Sequence, residues 1–199
     1  MLKNDEVKVL KFLLEDLNNN PTMRSISLSL KQKYPQTFKT IKSLEKNGFV
    51  ILNEIGKSRV IHLNFLKENP YFICAEIERT QDLFKKNKEI KLVQEKLKEC
   101  GNFVSLIFGS HAKNKNKEGS DIDLLVVISS EQEIETIRKK IKNILSLYNV
   151  DLNIISEKSL FQMWENKNEL NVGNEILKNH YVLTGFETYI NYLRKKYGR

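Results

Sequence analysis

The sequence predicts an α+β protein: a small N-terminal unit of helices and a hairpin, then a mixed β-sheet with helices packed on one face. Three observations support this fold class. Helical spacing of apolar residues fills the start of the chain, and two β-like runs follow at 49–53 and 59–63. Largely apolar runs at 103–108 and 124–128 are typical of buried strands. An amphipathic helical pattern at 131–147 then returns the chain to a further strand.

Three helices are predicted before the hairpin. The first ends in Asn18-Asn19-Asn20-Pro21, because proline cannot continue a helix. The second is short, about 24–33, and the third begins at Pro35 and ends before Gly48. Its apolar residues Phe38, Ile41 and Leu44 are predicted to pack inward.

The order of three helices and a hairpin resembles a winged helix-turn-helix, with residues 44–50 at the helix-to-wing junction. The resemblance implies double-stranded DNA as a partner, with the polar face of the third helix in the major groove and the wing on the backbone. The predicted DNA-binding residues are Gln36, Lys39, Ser43, Lys46, Lys57 and Arg59. The alternative is a solvated helix face on a module for protein contacts or dimerisation.

Charge favours a nucleic-acid surface without establishing one. The chain carries a net charge of +8, and residues 1–65 hold 11 Lys+Arg against 6 Asp+Glu.

No apolar run is long enough to cross a bilayer, so no membrane partner is expected. Cys74 and Cys100 lack metal-type spacing and are interpreted as free thiols in a reducing cytoplasm, the predicted location.

Three segments are predicted: the winged helix-turn-helix at 1–66, a helical connector at 67–88, and the sheet domain at 89–199. Asn69-Pro70 marks the break before two helical stretches, 72–88 and 89–100. In the tail, a helix is expected around 175–178 and an apolar stretch at 181–183. Trp164 and His180 are interpreted as packing residues.

The richest chemistry lies between the two apolar runs. Gly109-Ser110 ends the first run, and Ser120-Asp121-Ile122-Asp123 leads into the second. Side chains alternate along a strand, so Asp121 and Asp123 are expected on the same face. Two carboxylates this close favour a cation between them. Hard oxygen ligands suit Mg²⁺, and a glycine-serine turn suits phosphate.

Gly109-Ser110 followed by Asp121-Ile122-Asp123 resembles the signature of the nucleotidyltransferase superfamily of DNA polymerase beta. More narrowly, residues 109–113 and 120–124 resemble the minimal nucleotidyltransferase (MNT) family of bacteria and archaea. That resemblance implies two Mg²⁺ ions on Asp121, Asp123 and a third, later carboxylate, which Asp151 matches. It also implies nucleotide binding by Gly109, Ser110, Lys113 and Ser120. Lys113 and Asn114 stand where family members usually carry arginine and glycine, and lysine lacks the forked donor geometry of arginine.

The resemblance implies transfer of a nucleoside monophosphate from a nucleoside triphosphate, with ATP expected, to an acceptor hydroxyl. In the MNT family that acceptor can belong to a partner protein, such as a HEPN-type toxin paired with an antitoxin. The alternative is a transcriptional regulator that senses a nucleotide and transfers nothing. A homodimer is compatible with the sequence, which leaves the oligomeric state open.

Overall fold

The computed structural model describes residues 2–56, 58–113, 119–166 and 169–198 of the chain. Its first part contains three helices and a two-stranded antiparallel hairpin. Their bounds are α1 Asn4–Glu15, α2 Met23–Ser29, α3 Tyr34–Lys46, β1 Val50–Ile55 and β2 Ser58–Leu63. A single bridge between Thr22 and Val60 joins the start of α2 to the hairpin.

Two of the three apolar residues predicted on the inner side of α3 are buried, but Phe38 is not. Ile41 and Leu44 are fully buried, whereas Phe38 is 43% exposed. The prediction that Phe38 packs inward was therefore wrong. Thr37 and Thr40 occupy the inner face instead, and the Thr40 hydroxyl donates to the Gln36 carbonyl at 3.0 Å. A threonine can bury its methyl group while satisfying its hydroxyl within the helix, which turns the Phe38 ring outward.

The remainder of the described chain forms a second sheet with its helices. The bounds are α4 Tyr71–Lys86, α5 Lys88–Lys98, β3 Val104–Ile107, α6 Gly109–Ala112, β4 Ile122–Ile128, a 3-10 turn at Glu131–Glu133, α7 Ile134–Ile144, β5 Val150–Ser156, α8 Glu157–Glu165, α9 Val172–Ile176, β6 Tyr181–Thr184 and α10 Phe186–Tyr197. The strand order is β5-β4-β3-β6. Because β4 and β5 are parallel and the other pairs antiparallel, the sheet is mixed, as predicted.

Helices cover both faces of this sheet, which corrects the prediction that they pack on one. On one face, Leu106 and Leu125 pack with residues of α8 and α10. On the other, Ile107 and Leu124 pack with residues of α5 and α7. The strands are apolar at successive positions, so each face needs its own layer to exclude water.

The N-terminal helices share a hydrophobic core with one face of the sheet. This core runs from Leu10 and Ile26 through Phe72 of α4 to Leu106 and Leu193. The division into segments at 66/67 and 88/89 stays a prediction. Within the described residues, none of the helices combines the length and apolar character that crossing a bilayer requires.

A buried charged cluster lies where α1, α4 and β6 meet. Arg79 donates through Nη1 to both carboxylate oxygens of Glu76, at 2.7 and 2.8 Å. Its Nη2 donates to the backbone carbonyl of His180 at 2.9 Å, and Nη1 donates to the backbone carbonyl of Leu14 at 3.3 Å.

Trp164 and His180 are both buried, consistent with their interpretation as packing residues.

Candidate active site

Two of the predicted acidic residues are direct neighbours across the sheet. The parallel pairing of β4 and β5 makes Asp123 and Asp151 register partners. Residues opposite each other on adjacent strands project to the same face. Asp123 is half-buried and Asp151 is exposed. In the described ranges, no ion pair involves either carboxylate.

Gly109 lies beneath the Asp123 side chain. Its φ of +64° is in the left-handed region, which glycine adopts without steric cost. The Phe108 amide donates to the Asp123 carbonyl at 3.1 Å, which ties the turn to the start of β4. A β-carbon at position 109 would meet the Asp123 carboxylate, so glycine permits the close approach of the two segments.

Asp121 is held by Asn149, the residue immediately before the neighbouring strand β5. The side-chain amide of Asn149 donates to Asp121 Oδ1. The backbone amide of Ile122 donates to the Asn149 carbonyl at 2.8 Å. Ile122, the residue between the two aspartates in the sequence, is fully buried. This burial is expected when Asp121 and Asp123 project to the opposite face of the sheet. Sequence reasoning did not single out Asn149.

The three aspartates do not form a closed cluster. Among the described residues, no three Asp, Glu, His or Cys side chains converge as a ready metal site. Two carboxylates are nevertheless adjacent, and Mg²⁺ commonly takes only one or two protein carboxylates with water and substrate phosphates. The oxygen chemistry of Asp123 and Asp151 therefore fits such an ion, with Asp121 engaged by Asn149 beside them.

Comparison with known families assigns this part of the chain. Residues 78–180, just over half of the sequence, match the family described as polymerase beta, nucleotidyltransferase. The chain belongs to this nucleotidyltransferase family. The matched segment begins within α4 and contains Gly109, Asp123 and Asp151. A comparison with curated protein sequences finds no match.

Membership in the nucleotidyltransferase family supports a transferase activity of the nucleotidyl-transfer class. The mixed sheet with its covering helices also fits a nucleotidyltransferase fold.

The residues predicted to bind nucleotide lie on or next to α6. Ser110 follows Gly109 in this short helix and is half-buried. Lys113, the residue after the helix, is paired with Glu175 of α9 at 2.6 Å. The Ser120 carbonyl lies 3.2 Å from Nε2 of buried His111. Asn114 lies outside the described residues.

A cleft of about 850 Å³ opens beside Asp151 on the same side of the sheet. This volume is within the range of small-molecule sites. Its lining includes Phe108, Lys113, Asn153, Glu175 and Lys178. Asp123, Gly109 and Ser110 do not line it, so the cleft extends from the Asp151 end of the carboxylate pair. Four asparagines lie at its walls: Asn18, Asn153, Asn171 and Asn174. The side-chain amides of Asn171 and Asn174 already donate to backbone carbonyls around α8 and α9.

The N-terminal residues predicted to contact DNA divide into two groups. Gln36 Nε2 donates to Asp5 Oδ2 at 2.6 Å, and the Ser43 hydroxyl donates to a Glu6 oxygen at 2.7 Å. Both side chains are thus engaged by α1. Lys39, Lys46 and Arg59 are exposed, and Arg59 pairs with Glu54 at 3.0 Å. Lys57 lies outside the described residues.

Proposed function

We propose that this chain is a Mg²⁺-dependent nucleotidyltransferase of the MNT type, moving a nucleoside monophosphate from ATP to an acceptor hydroxyl. The observation that carries the proposal is the register pairing of Asp123 with Asp151 above Gly109, inside the matched segment. Adjacent carboxylates on one face are a costly arrangement without a cation, and no described side chain supplies one.

Asp123 and Asp151 would hold Mg²⁺, two ions by resemblance to the family. Asp121, the third carboxylate that the resemblance implies, would have to exchange its bond from Asn149 for the metal. When bound, the metal neutralises phosphate charge and lowers the pKa of the acceptor hydroxyl. Asp151 borders the cleft and would orient the acceptor hydroxyl and accept its proton. The acceptor oxygen then bonds to the α-phosphorus, the bond from that phosphorus to the bridging oxygen breaks, and pyrophosphate leaves.

The turn at Gly109 and Ser110 would hold the β and γ phosphates through backbone amides and the serine hydroxyl. Lys113 would add a positive charge once it exchanges Glu175 for a phosphate oxygen. Ser120 would complete this side of the site. These groups position the triphosphate and stabilise charge as pyrophosphate departs.

The acceptor is proposed to be a hydroxyl of a partner protein, as the resemblance to MNT antitoxins of HEPN-type toxins implies. The experiment incubates the full chain with Mg²⁺, a lysate, and ATP labelled at either the α or the γ phosphate. Label on a macromolecule from α-labelled but not γ-labelled ATP is the expected result. Asp123→Asn and Asp151→Asn should abolish it, whereas Asp82→Asn, a surface aspartate of α4, should not. Nucleotide binding without transfer under any condition would instead support the sensor alternative.

We also propose that the N-terminal unit is a winged helix-turn-helix that binds duplex DNA through α3. The three helices, the hairpin and the Thr22–Val60 bridge support this resemblance to a winged helix-turn-helix. Lys39, Lys42 and Lys46 share the solvent side of α3, which suits phosphate contact. Binding that weakens steeply with salt, and on Lys39→Ala, would support the proposal; no duplex binding at low salt would contradict it.

A further inference from the structure

The side of α3 that faces α2 and the hairpin carries two exposed aromatic rings. Tyr34 is 49% exposed and Phe38 43% exposed. They are four residues apart and therefore neighbours on the helix surface. Together with Arg24, Lys42 and Arg59 they line a hollow of about 360 Å³. The two neighbouring rings form a small apolar patch on a basic helix.

The two sides of α3 differ in which of their side chains are already bonded to another helix. Residues 22–47 contain six lysines and arginines and one acidic residue, Glu45. On the opposite edge, Asp5 and Glu6 of α1 accept from Gln36 and Ser43. Lys3, Lys33 and Lys39 also line that edge, so cations lie on both sides of α3. The difference is that the polar groups of that edge are already bonded to α1, whereas the Phe38 side places two exposed rings beside its cations. Lys42 is paired with Glu45 at 2.7 Å, but such surface pairs are weak and can exchange for phosphates.

We propose that Phe38 contacts thymine methyl groups in the major groove and so gives α3 a preference for A·T-containing duplex DNA. The inference rests on the proposed DNA binding of the N-terminal unit and names the residue that reads the sequence. The major groove admits an α-helix, and the thymine methyl is the apolar group displayed there. Gln36, a typical partner for adenine, is held by Asp5, which leaves the Phe38 ring as the base-facing group beside Lys39 and Lys42.

Uracil provides a direct test, because it differs from thymine in duplex DNA only by the missing methyl. Fluorescence anisotropy at low salt compares the full chain on three probes: an A·T-rich 24-base-pair duplex, the same duplex with uracil in place of thymine, and the single strand. Burying one methyl is worth about a fourfold change in affinity, so the thymine duplex should bind at least about fourfold more tightly than the uracil duplex. Phe38→Ala should remove that difference and leave the weaker affinity. Leu92→Ala, at a similarly exposed apolar residue on α5, should keep it.

The outcomes separate failure of the inference from failure of the proposed DNA binding. Equal affinity for the thymine and uracil duplexes by the unaltered chain would overturn the role of Phe38 while duplex binding stands. Tighter binding to the single strand, lost on Phe38→Ala, would also overturn it and point to base stacking. Absence of binding to any duplex would refute the DNA-binding proposal itself. Circular dichroism of Phe38→Ala checks that the variant is folded.

Discussion

The side chain of Asp123 lies directly over the α-carbon of Gly109. A β-carbon built at position 109 would be 2.6 Å from Asp123 Cγ and nearer still to Oδ2. Real β-carbons do not approach other atoms so closely, so the carboxylate would have to move. The glycine that the sequence suggests for a phosphate turn thus also sets the position of a metal-binding candidate.

Gly109→Ala should therefore abolish nucleotidyl transfer. The new methyl would displace the Asp123 carboxylate, and alanine at φ +64° adds a backbone cost of about 1–2 kcal/mol. Gly56→Ala is a matched control, because Gly56 has φ +60° and nothing within 4 Å of its β-carbon position. Thermal unfolding and the label-transfer assay together measure both effects. Equal melting temperatures and equal transfer activities of the two variants would show that the contact with Asp123 does not matter.

Asp151→Asn should remove the rise in melting temperature that Mg²⁺ causes, which a residue with only a structural role would not do. Without metal, the variant should be as stable as the unaltered chain or more stable by about 0.2–1 kcal/mol, since like charges directly opposite each other on strands repel. With 10 mM Mg²⁺, the unaltered chain should gain melting temperature and the variant should not. Differential scanning fluorimetry with and without EDTA measures this. A Mg²⁺-induced rise that persists in both Asp123→Asn and Asp151→Asn would contradict the proposed metal ligands.

The central strands and the acidic residues at their starts could be predicted because the sequence signal is local. Apolar runs bounded by glycine and aspartate define β3 and β4, and the strand opening at Val150 places Asp151 at its start. The register that aligns Asp151 with Asp123 is a tertiary property. It depends on how far α7 carries the chain back, which periodicity does not specify.

Other elements were missed for physical reasons. The helix α8 has only two buried residues, Leu160 and Trp164. Two residues are too few to form an apolar stripe that would predict a helix from the sequence. The helix α10 has buried Tyr189 and Tyr192 at helical spacing, but its basic end obscures the pattern. The outward Phe38 ring was mispredicted because apolar spacing alone ignores the two threonines that can take its place in the core.

Glu175→Gln should strengthen ATP binding, and Lys113→Ala should weaken it. Glu175 neutralises Lys113 at 2.6 Å, so a phosphate must compete with it for the lysine. Removing the carboxylate frees the lysine, and a several-fold lower Kd is expected, while loss of the lysine should raise Kd about tenfold, as for a charge-assisted hydrogen bond of ~1.4 kcal/mol. Isothermal titration with ATP and Mg²⁺ measures both values. Tighter binding by Lys113→Ala would show that the lysine is not a phosphate ligand.

Glu76→Gln should be among the most destabilising single substitutions in the chain, because it leaves the Arg79 guanidinium buried without its counter-charge. Breaking one side of a buried pair costs about 3–5 kcal/mol. Burial by itself would raise the pKa of Glu76, but Arg79 and His180 outweigh it and hold that pKa below its usual 4.5. A lowered folded-state pKa stabilises the fold above pH 4.5, and that contribution is lost as pH falls through the folded pKa. The difference in unfolding free energy between the unaltered chain and Glu76→Gln should thus be full at pH 7 and narrow below pH 4.5.

Urea unfolding at pH 7, 5 and 3.5 measures this difference. Asp82→Asn is the control for a solvent-exposed ion pair and is expected to cost at most about 1 kcal/mol. A cost for Glu76→Gln no greater than that of the control would mean that the buried cluster contributes no net stability.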